Sequence, residues 1–282
     1  MDTLLGDPRR GHPVALFGRA AAALERRMWA DSRGRGIVFT AICVGAAGAL
    51  GLVARGRVAT ALATWAVLGG HGLAAEGEAM ARLLEDGDLP AARRRLSHLC
   101  GRDATGLDAR ELARAATESI AENTSDAVVA PLLWGAVAGV PGLLGYRALN
   151  TLDAMIGHRS PRYEKFGWAA ARADDVANFV PARVTALAAI LAGGHPRRAW
   201  RVWRRDGGKH PSPNAGQVEA AFAGALGIRL GGRNSYGGRV EDRGTLGDGP
   251  APGVDDLRRA VRLSRATGLL ALAIAASSRR AR

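Results

Sequence analysis

Apolar blocks alternate with arginine-rich polar segments along the chain, and the blocks have the lengths of helices. Residues 36–54, GIVFTAICVGAAGALGLVA, hold 19 positions without a charge, enough to cross a hydrocarbon core as one helix. After the short RGR turn comes a second uncharged run, 58–75, which Gly69, Gly70 and His71 weaken. The pair reads as a helical hairpin in the bilayer, set against a buried soluble helix pair. Residues 127–146, AVVAPLLWGAVAGVPGLLGY, form a third run of spanning length, but AGVPG is a poor helix interior. A Pro-Gly break at membrane depth is tolerated only where protein or water covers the freed backbone groups. This segment is expected to re-enter and return at AGVPG, or to lie in the protein core. The blocks at 184–194 and 266–276 are too short to span alone. The first could span if its helix begins near Val176 and tolerates Arg183 at an interface. The second reads as an anchor whose end Arg279, Arg280 and Arg282 hold on the cytoplasmic side.

The polar segments are also mostly helical. A helix from Val14 to Trp29 follows GDPRRGHP, a loop stiffened by two prolines. Within 76–126, DLPAARRRLSHL sets a proline near a helix start. Asp108 stands three residues before Glu111, a capping-box arrangement. Leu112, Ala115, Ala116 and Ile120 recur at helical spacing, so this helix has a buried side. Residues 195–265 read as the turn SPNAG, an Ala/Gly-rich helix, a Gly-rich exit and the loop-like RNSYGGRVEDRGTLGDGPAPG. The expected fold is all-α, a single polytopic helical membrane domain over 1–282 with polar helical loops and a re-entrant hairpin at 127–146.

Composition sharpens this picture. Hydrophobic residues are 48% and aromatics only 5%, which suits close packing of helices through Ala and Gly. The mean hydropathy of −0.02 conceals the alternation because the blocks cancel. A net charge of +13 admits nucleic acid, anionic lipid or anionic substrates. The charge is nearly all Arg and scattered, with one concentration at 197–209. Without a recognition-helix pattern, zinc spacing or an RNA-binding aromatic motif, nucleic acid is disfavoured. Cys43 and Cys100 lie far apart and outside any CxxC, so neither a disulfide framework nor a thiol metal site is implied. The N-terminus lacks the apolar stretch of a cleavable signal peptide.

The exclusions leave a narrow chemistry. No P-loop, HExxH or GxSxG motif occurs, and the glycines near 231–238 do not sit between a strand and a helix. What remains is carboxylates, carboxamides and guanidiniums. Asn150–Arg183 is the densest stretch, with Asn150, Asp153, Lys165, Arg172, Asp174, Asp175, Asn178 and Arg183 among four aromatics. On a helix Asn178 shares a face with Asp174 and Asp175. Glu122, Asn123, Thr124 and Asp126 arrive together at the end of a polar helix. Glu122 and Asp126 would repel at i and i+4 unless a cation lay between them. Asp7, Arg9, Arg10 and His12 on the stiff first loop could bind a metal-phosphate group. Such a set suits magnesium, which takes oxygen ligands and leaves positions for phosphates and water, with guanidiniums clamping the anions.

In order, GDPRRGHPV (6–14), GRD (101–103), ESIAENTSDAVVAPLLW (118–134), NTLDAMIGHRSPRYEKFGWAAARADDVANFVPAR (150–183) and SPNAGQVEAAFAGALGIRLGG (212–232) resemble the CobD/CbiB family, the adenosylcobinamide-phosphate synthases of cobalamin biosynthesis. The likeness covers nearly the whole chain. Family members usually begin with an apolar span before the LLGDP block, whereas Met1 here sits almost on it, so the first membrane helix is expected to be missing from this sequence.

The resemblance implies an ATP- and magnesium-dependent amide ligation. The substrates would be adenosylcobyric acid, through its free propionate, and aminopropanol or its O-phosphate, and the product adenosylcobinamide or its phosphate. On this reading Glu122, Asp126, Asp153, Asp174 and Asp175 include the general base and the magnesium ligands, the latter drawn from Glu122, Asp126, Asp174 and Asp175. Lys165, Arg172 and Arg183 hold phosphates, while Asn123, Asn150, Asn178 and Asn214 orient substrate amides. Asp7, His12, Arg102 and Ser212 line the substrate site. The protein is expected in the cell membrane with its active loops on the cytoplasmic side. Contact with other cobalamin-assembly membrane enzymes and a homo-oligomer are both left open. The competing readings are a membrane transporter or sensor-like protein of related fold without ligase activity, and a basic soluble binding module.

Overall fold

Capping residues, prolines and glycines set where several helices of this chain begin, break or turn. The computed structural model describes residues 12–54, 56–158, 160–236 and 239–280. These form two compact units. One takes the described residues up to Gly69 with Ala130–Phe179 and the chain from Ile274, and the other takes Gly70–Val129 and Val180–Ala273.

In the first unit, α1 (Pro13–Met28) opens with Pro13 in its first turn, and His12 caps it by accepting from Val14 N–H at 3.2 Å. Both devices satisfy or remove amide donors that a helix start leaves unpaired. Helix α2 (Arg33–Val53) follows a serine cap at Ser32, and α3 (Arg57–Val67) follows Gly56 at φ 92°. Phe39, Cys43, Leu152, Ile156, Phe166 and Ala170 are buried together with Ala21. Gly36 is what permits this: a Cβ there would run into the Phe166 carbonyl. The Phe39 and Phe166 rings then meet with centroids 5.2 Å apart.

Helix α7 (Ala130–Leu152) carries the break expected at AGVPG. Gly139 has φ 66° and ψ −145°, and Pro141 follows it. A Cβ on Gly142 would collide with the Trp134 carbonyl oxygen, and one on Gly135 would lie 2.9 Å from the Leu143 side chain. Residues eight apart in an unbroken helix are separated by about 12 Å along the axis. The chain therefore folds back on itself at Gly139. Val140 and Leu143 pack with Ala63 and Val67 in a second small core, and Gly51 sits against the Pro141 backbone. A π turn at Asp153–Gly157 leads towards α8 (Trp168–Ala177).

The second unit begins with α4 (Gly70–Glu85), α5 (Leu89–Leu96), capped by Asp88, and α6 (Ala109–Thr124). The Asp108–Glu111 capping box is complete, with both reciprocal hydrogen bonds formed at 2.8 and 3.0 Å. A π turn, Ser125–Val129, ends α6. Then come α9 (Phe179–Ala192), α10 (Pro196–Asp206) and α11 (Ala215–Leu226), which has every residue but Gln217 buried. Small residues allow that burial, since Gly224 meets the Ala199 backbone and Gly193 meets Ala225. The core joins Met80, Leu84, Leu96, Leu112, Ile120, Phe222, Leu230 and Leu257, among others.

Two local expectations change. The segment read as loop holds an antiparallel hairpin, β1 (Leu230–Tyr236) with β2 (Arg239–Leu246), in register from Leu230↔Leu246 to Tyr236↔Arg239 with an irregularity between Gly231 and Arg233. Its strands lack apolar alternation; Leu230 and Leu246, at the open end, enter the core. The short anchor at 266–276 is part of a longer helix, α12 (Val254–Arg280), whose polar first half is held by buried Leu257, Ala260, Val261 and Leu263. Asp7, Arg9, Arg10 and Arg282 lie outside the described residues, as do the side chains of Arg279 and Arg280.

Among the described residues four helical stretches are long and apolar enough to cross a membrane: Arg33–Val53, Arg57–Glu85, Ala109–Gly157 and Val254–Ser278. The expected interruption near Gly69 is present within the second, between α3 and α4.

Candidate functional site

The polar residues of the second unit assemble from three places in the sequence. Glu118, on the buried side of α6, is 2% exposed. Its Oε2 pairs with Arg102 Nη2, while Oε1 lies 3.3 Å from Arg114 Nη1 and accepts from the Gly231 amide at 2.7 Å. Arg114 in turn donates to the Gly231 carbonyl and, at 3.1 Å, to Asn234 Oδ1. One carboxylate thus ties the GRD loop, α6 and β1 together. The loop is also held by the Asp103 amide, which donates to Ser235 O at 3.0 Å. Asn123 donates to the Ser119 carbonyl at 2.9 Å and its hydroxyl at 3.1 Å, and Ser119 donates to Leu99 O at 2.6 Å. Glu122 is half-buried one turn after Glu118, in the field of Arg243, Glu118, Arg102 and Glu241. Asp126, also half-buried, lies in the π turn, a distortion common at functional positions.

A second group is built on the SPNAG turn. Arg183 Nη1 donates to Asn214 Oδ1 at 3.1 Å and Nη2 to Pro213 O at 3.3 Å. Ser212 Oγ accepts from the Asn214 and Ala215 amides, at 3.3 and 3.2 Å. Arg183, Ser212 and Asn214 are therefore brought together. Next to them is a pair that sequence reading missed. His210 is buried, its Nδ1 accepts from Ser212 N–H at 2.9 Å, and its Nε2 lies 3.8 Å from Glu219 Oε1. Since Nδ1 is an acceptor, the neutral ring carries its proton on Nε2. Glu219 has no solvent exposure, and neither of its oxygens has a hydrogen-bond partner among the described residues. Burial, reinforced by Glu118 and Glu122 and opposed by Arg243 and Arg102, raises its pKa well above the usual carboxylate range. Burial, followed by the positive charge of Arg243, lowers His210 to about 4.

The signal for Glu219 was present in the sequence. One acid in the centre of GQVEAAFAGAL cannot face water when its neighbours at helical spacing are Ala215, Gly216, Phe222 and Ala223. Asp206 is a further buried acid that closes the unit. Burial works to raise its pKa, but hydrogen bonds from Arg205, Lys209 and the Gly247 amide outweigh this and hold it below the ordinary range.

A pH dependence follows from His210. Its folded pKa lies below the ordinary value of 6.5, so the unfolded chain binds more protons between pH 6.5 and about 4. The stability it confers is complete above 6.5 and is lost as pH falls through that window, by on the order of 3 kcal/mol. Glu219 has the opposite sign, its contribution being lost as pH rises through its elevated pKa. His210→Asn retains an acceptor for Ser212 N–H without a titrating ring. Its melting temperature is expected to fall less steeply than that of the wild type from pH 6.5 to 4. Identical slopes would show that His210 is not held neutral.

In the first unit the polar interval condenses into a different constellation. Asp174, 8% exposed, accepts from Asn178 at 2.9 Å through Oδ2 and from Asn150 at 3.5 Å through Oδ1. Tyr146 OH donates to Asn178 Oδ1 at 2.8 Å. Asp175 turns away and pairs with exposed Arg172 at 3.3 Å, as adjacent helical positions about 100° apart require. Lys165 is on the exposed surface, paired with Asp31 at 2.7 Å. Asp153 is half-buried in the second π turn, and His12 serves as the α1 cap. Asp7 lies outside the described residues.

Among the described residues no cluster of three or more His, Cys, Asp or Glu side chains is placed to hold a metal ion. This rules out a closed protein cage among them, but not an open site in which one or two carboxylates share the ion with substrate phosphates, as magnesium commonly has.

These features define a polytopic all-α membrane protein whose buried chemistry is carboxylate, carboxamide and guanidinium, with few histidines and no cysteine involved. A family model described as CobD/Cbib protein matches residues 1–264. Cobalamin biosynthesis protein CobD of Mycobacterium tuberculosis is 58% identical over 276 residues, covering 94% of this chain and 88% of the relative. Proteins of the same name from Geobacter metallireducens and Chromobacterium violaceum are 46% and 43% identical, covering 88% and 93% of this chain and 84% and 88% of their own length. The chain belongs to the CobD/CbiB family. No solved structure matches it.

Proposed function

We propose that this chain joins the amine of aminopropanol, or of its O-phosphate, to the free propionate of adenosylcobyric acid in an ATP-dependent amide ligation. Its role lies in cobalamin biosynthesis, the process for which its relatives are named. The observation that carries the reading is the Glu118–Arg102–Arg114 cluster. It fixes the GRD loop and β1 around the end of α6, where Glu122 and Asp126 stand half-buried. The reaction needs no protein nucleophile. ATP activates the propionate oxygen, the amine nitrogen attacks the acyl carbon, the activating group leaves, and the amine gives up its proton to a carboxylate. Positioning and charge stabilisation supply the acceleration in reactions of this kind.

Glu122 and Asp126 offer an oxygen-only pair that fits an open magnesium site. When bound, magnesium would neutralise phosphate charge there. Arg183, set on Asn214 and Pro213, is the guanidinium assigned to an anionic substrate group. Asn123 is anchored through Ser119 and can orient a substrate amide. Asp174 holds Asn178 and Asn150 in fixed orientations, which suits a positioning role, and Asp175 is the carboxylate of that unit left towards solvent.

The test is reconstituted protein with adenosylcobyric acid, ATP–magnesium and aminopropanol phosphate, scored for amide product and ADP. Glu122→Gln and Asp126→Asn are expected to lower kcat by about 10²–10⁴-fold with melting temperature retained. Product formed without ATP, or folded variants with wild-type turnover, would overturn the assignment.

A further inference from the structure

One side of helix α10 carries charge that no described residue pairs. Its buried side, Ala199, Val202 and Asp206, faces the core. The opposite side presents Arg197, Arg201 and Arg204, all exposed, with Trp200 49% exposed at its edge. Among the described residues none of these three guanidiniums makes an ion pair or a side-chain hydrogen bond. By contrast, Arg198 and Arg205 on the flanks are bound, Arg198 to the Gly224 and Ala225 carbonyls and Arg205 to Asp206 and Asp248. Trp200 is held rigidly despite its exposure. It packs edge-on against Trp203 with centroids 5.2 Å apart, and Trp203 is fixed by a 2.9 Å hydrogen bond to Gln217.

The residues just before α10 indicate the partner. Leu187 and Leu191, in the last turns of α9, are 41% and 74% exposed. Six residues after Leu191 the exposed positions become Arg197, Trp200, Arg201 and Arg204. In a chain with membrane-spanning helices, exposed leucine followed within two turns by unpaired arginine and tryptophan marks the passage from acyl chains to headgroups.

We propose that α10 is an interfacial helix that lies on the anionic phospholipid headgroups of the bilayer, binding them through Arg197, Arg201 and Arg204 with Trp200 inserted at the boundary. Positive charge at a membrane face marks the cytoplasmic side, so this surface belongs to the cytoplasmic leaflet.

The protein is placed in nanodiscs whose lipids are brominated near the headgroup, either wholly phosphatidylcholine or containing phosphatidylglycerol. The Trp200 signal is the difference between wild type and Trp200→Phe. It is expected to be quenched by bromolipid and shielded from acrylamide in the anionic discs. Arg197→Gln, Arg201→Gln and Arg204→Gln together should weaken the association by about 100-fold, roughly fivefold per guanidinium. The signal then moves towards acrylamide, as it should also at high salt. Bromolipid quenching that ignores lipid charge, or a Trp200 that responds to ATP or an oligonucleotide and not to lipid, overturns the proposal.

Discussion

Replacing Glu118 with alanine is expected to destabilise the second unit by about 3–5 kcal/mol, the cost of breaking a buried ion pair by removing one partner. The reason lies in what would be left behind. Arg102 and Glu118 are 3% and 2% exposed at their side chains, and Arg114 is 17% exposed. Removing the carboxylate takes the opposing charge from the 3%-exposed Arg102 side chain, leaves Arg114 on the Gly231 carbonyl and Asn234 without its anion, and deprives the Gly231 amide of its acceptor. Gly231 has φ 79° and opens β1 beside the core leucines Leu230 and Leu246. Loss at Glu118 should therefore loosen the hairpin as well as the GRD loop. Glu118→Gln keeps the shape and one acceptor oxygen and should cost less. Arg102→Ala should cost about as much as Glu118→Ala, and the double variant clearly less than the sum, because each change removes the same pair. Thermal unfolding in detergent reads all four proteins. A Glu118→Ala variant within about 1 kcal/mol of wild type would mean that the cluster does not organise the unit.

The helical architecture was legible because its signals are local. The Asp108–Glu111 box, the Pro-led helix starts, the glycine interruption near Gly69 and the break at AGVPG all act within a few residues of where they stand. The hairpin was hidden because its cause is not local. Two leucines at its open end and a glutamate 113 positions earlier in the chain hold it. Even so, Gly237-Gly238 between two polar runs is a recognised hairpin connection. The site was legible in part for the same reason. Arg183, Ser212 and Asn214 were named from a motif and do meet. Helical spacing puts Asn178 beside Asp174 and Asp175; Asp174 does hold it, and Asn150 as well, while Asp175 pairs with Arg172 and Lys165 with Asp31. Glu118, His210 and Glu219 gave no such local signal as ligands, and of the three only Glu219 stands in an apolar stretch, GQVEAAFAGAL. Its place among alanines is the indication there, since a carboxyl without dedicated partners is driven by burial towards its neutral form.

Gly142→Val should strongly destabilise the first unit, and it tests the reversal of the chain directly. In an unbroken helix a valine at this position would be favoured over glycine by a few tenths of a kcal/mol in propensity. Where the limbs fold together, its Cβ runs into the Trp134 carbonyl oxygen and comes within 2.9 Å of Ala138 Cβ. Backbone cannot yield as a side-chain end can, so the limbs must separate. That exposes Val140 and Leu143 and withdraws the Pro141 backbone from Gly51. Gly139→Ala strains the same turn, because φ 66° with ψ −145° is nearly confined to glycine and costs a side chain about 1–3 kcal/mol. Gly145 supplies the control. It lies in the same helix with nothing within 4 Å of a built Cβ, so Gly145→Ala should be neutral or stabilising by up to about 1 kcal/mol. The expected order of melting temperature is Gly145→Ala at or above wild type, then Gly139→Ala, with Gly142→Val lowest. A Gly142→Val protein as stable as Gly145→Ala would show that the helix runs straight through AGVPG.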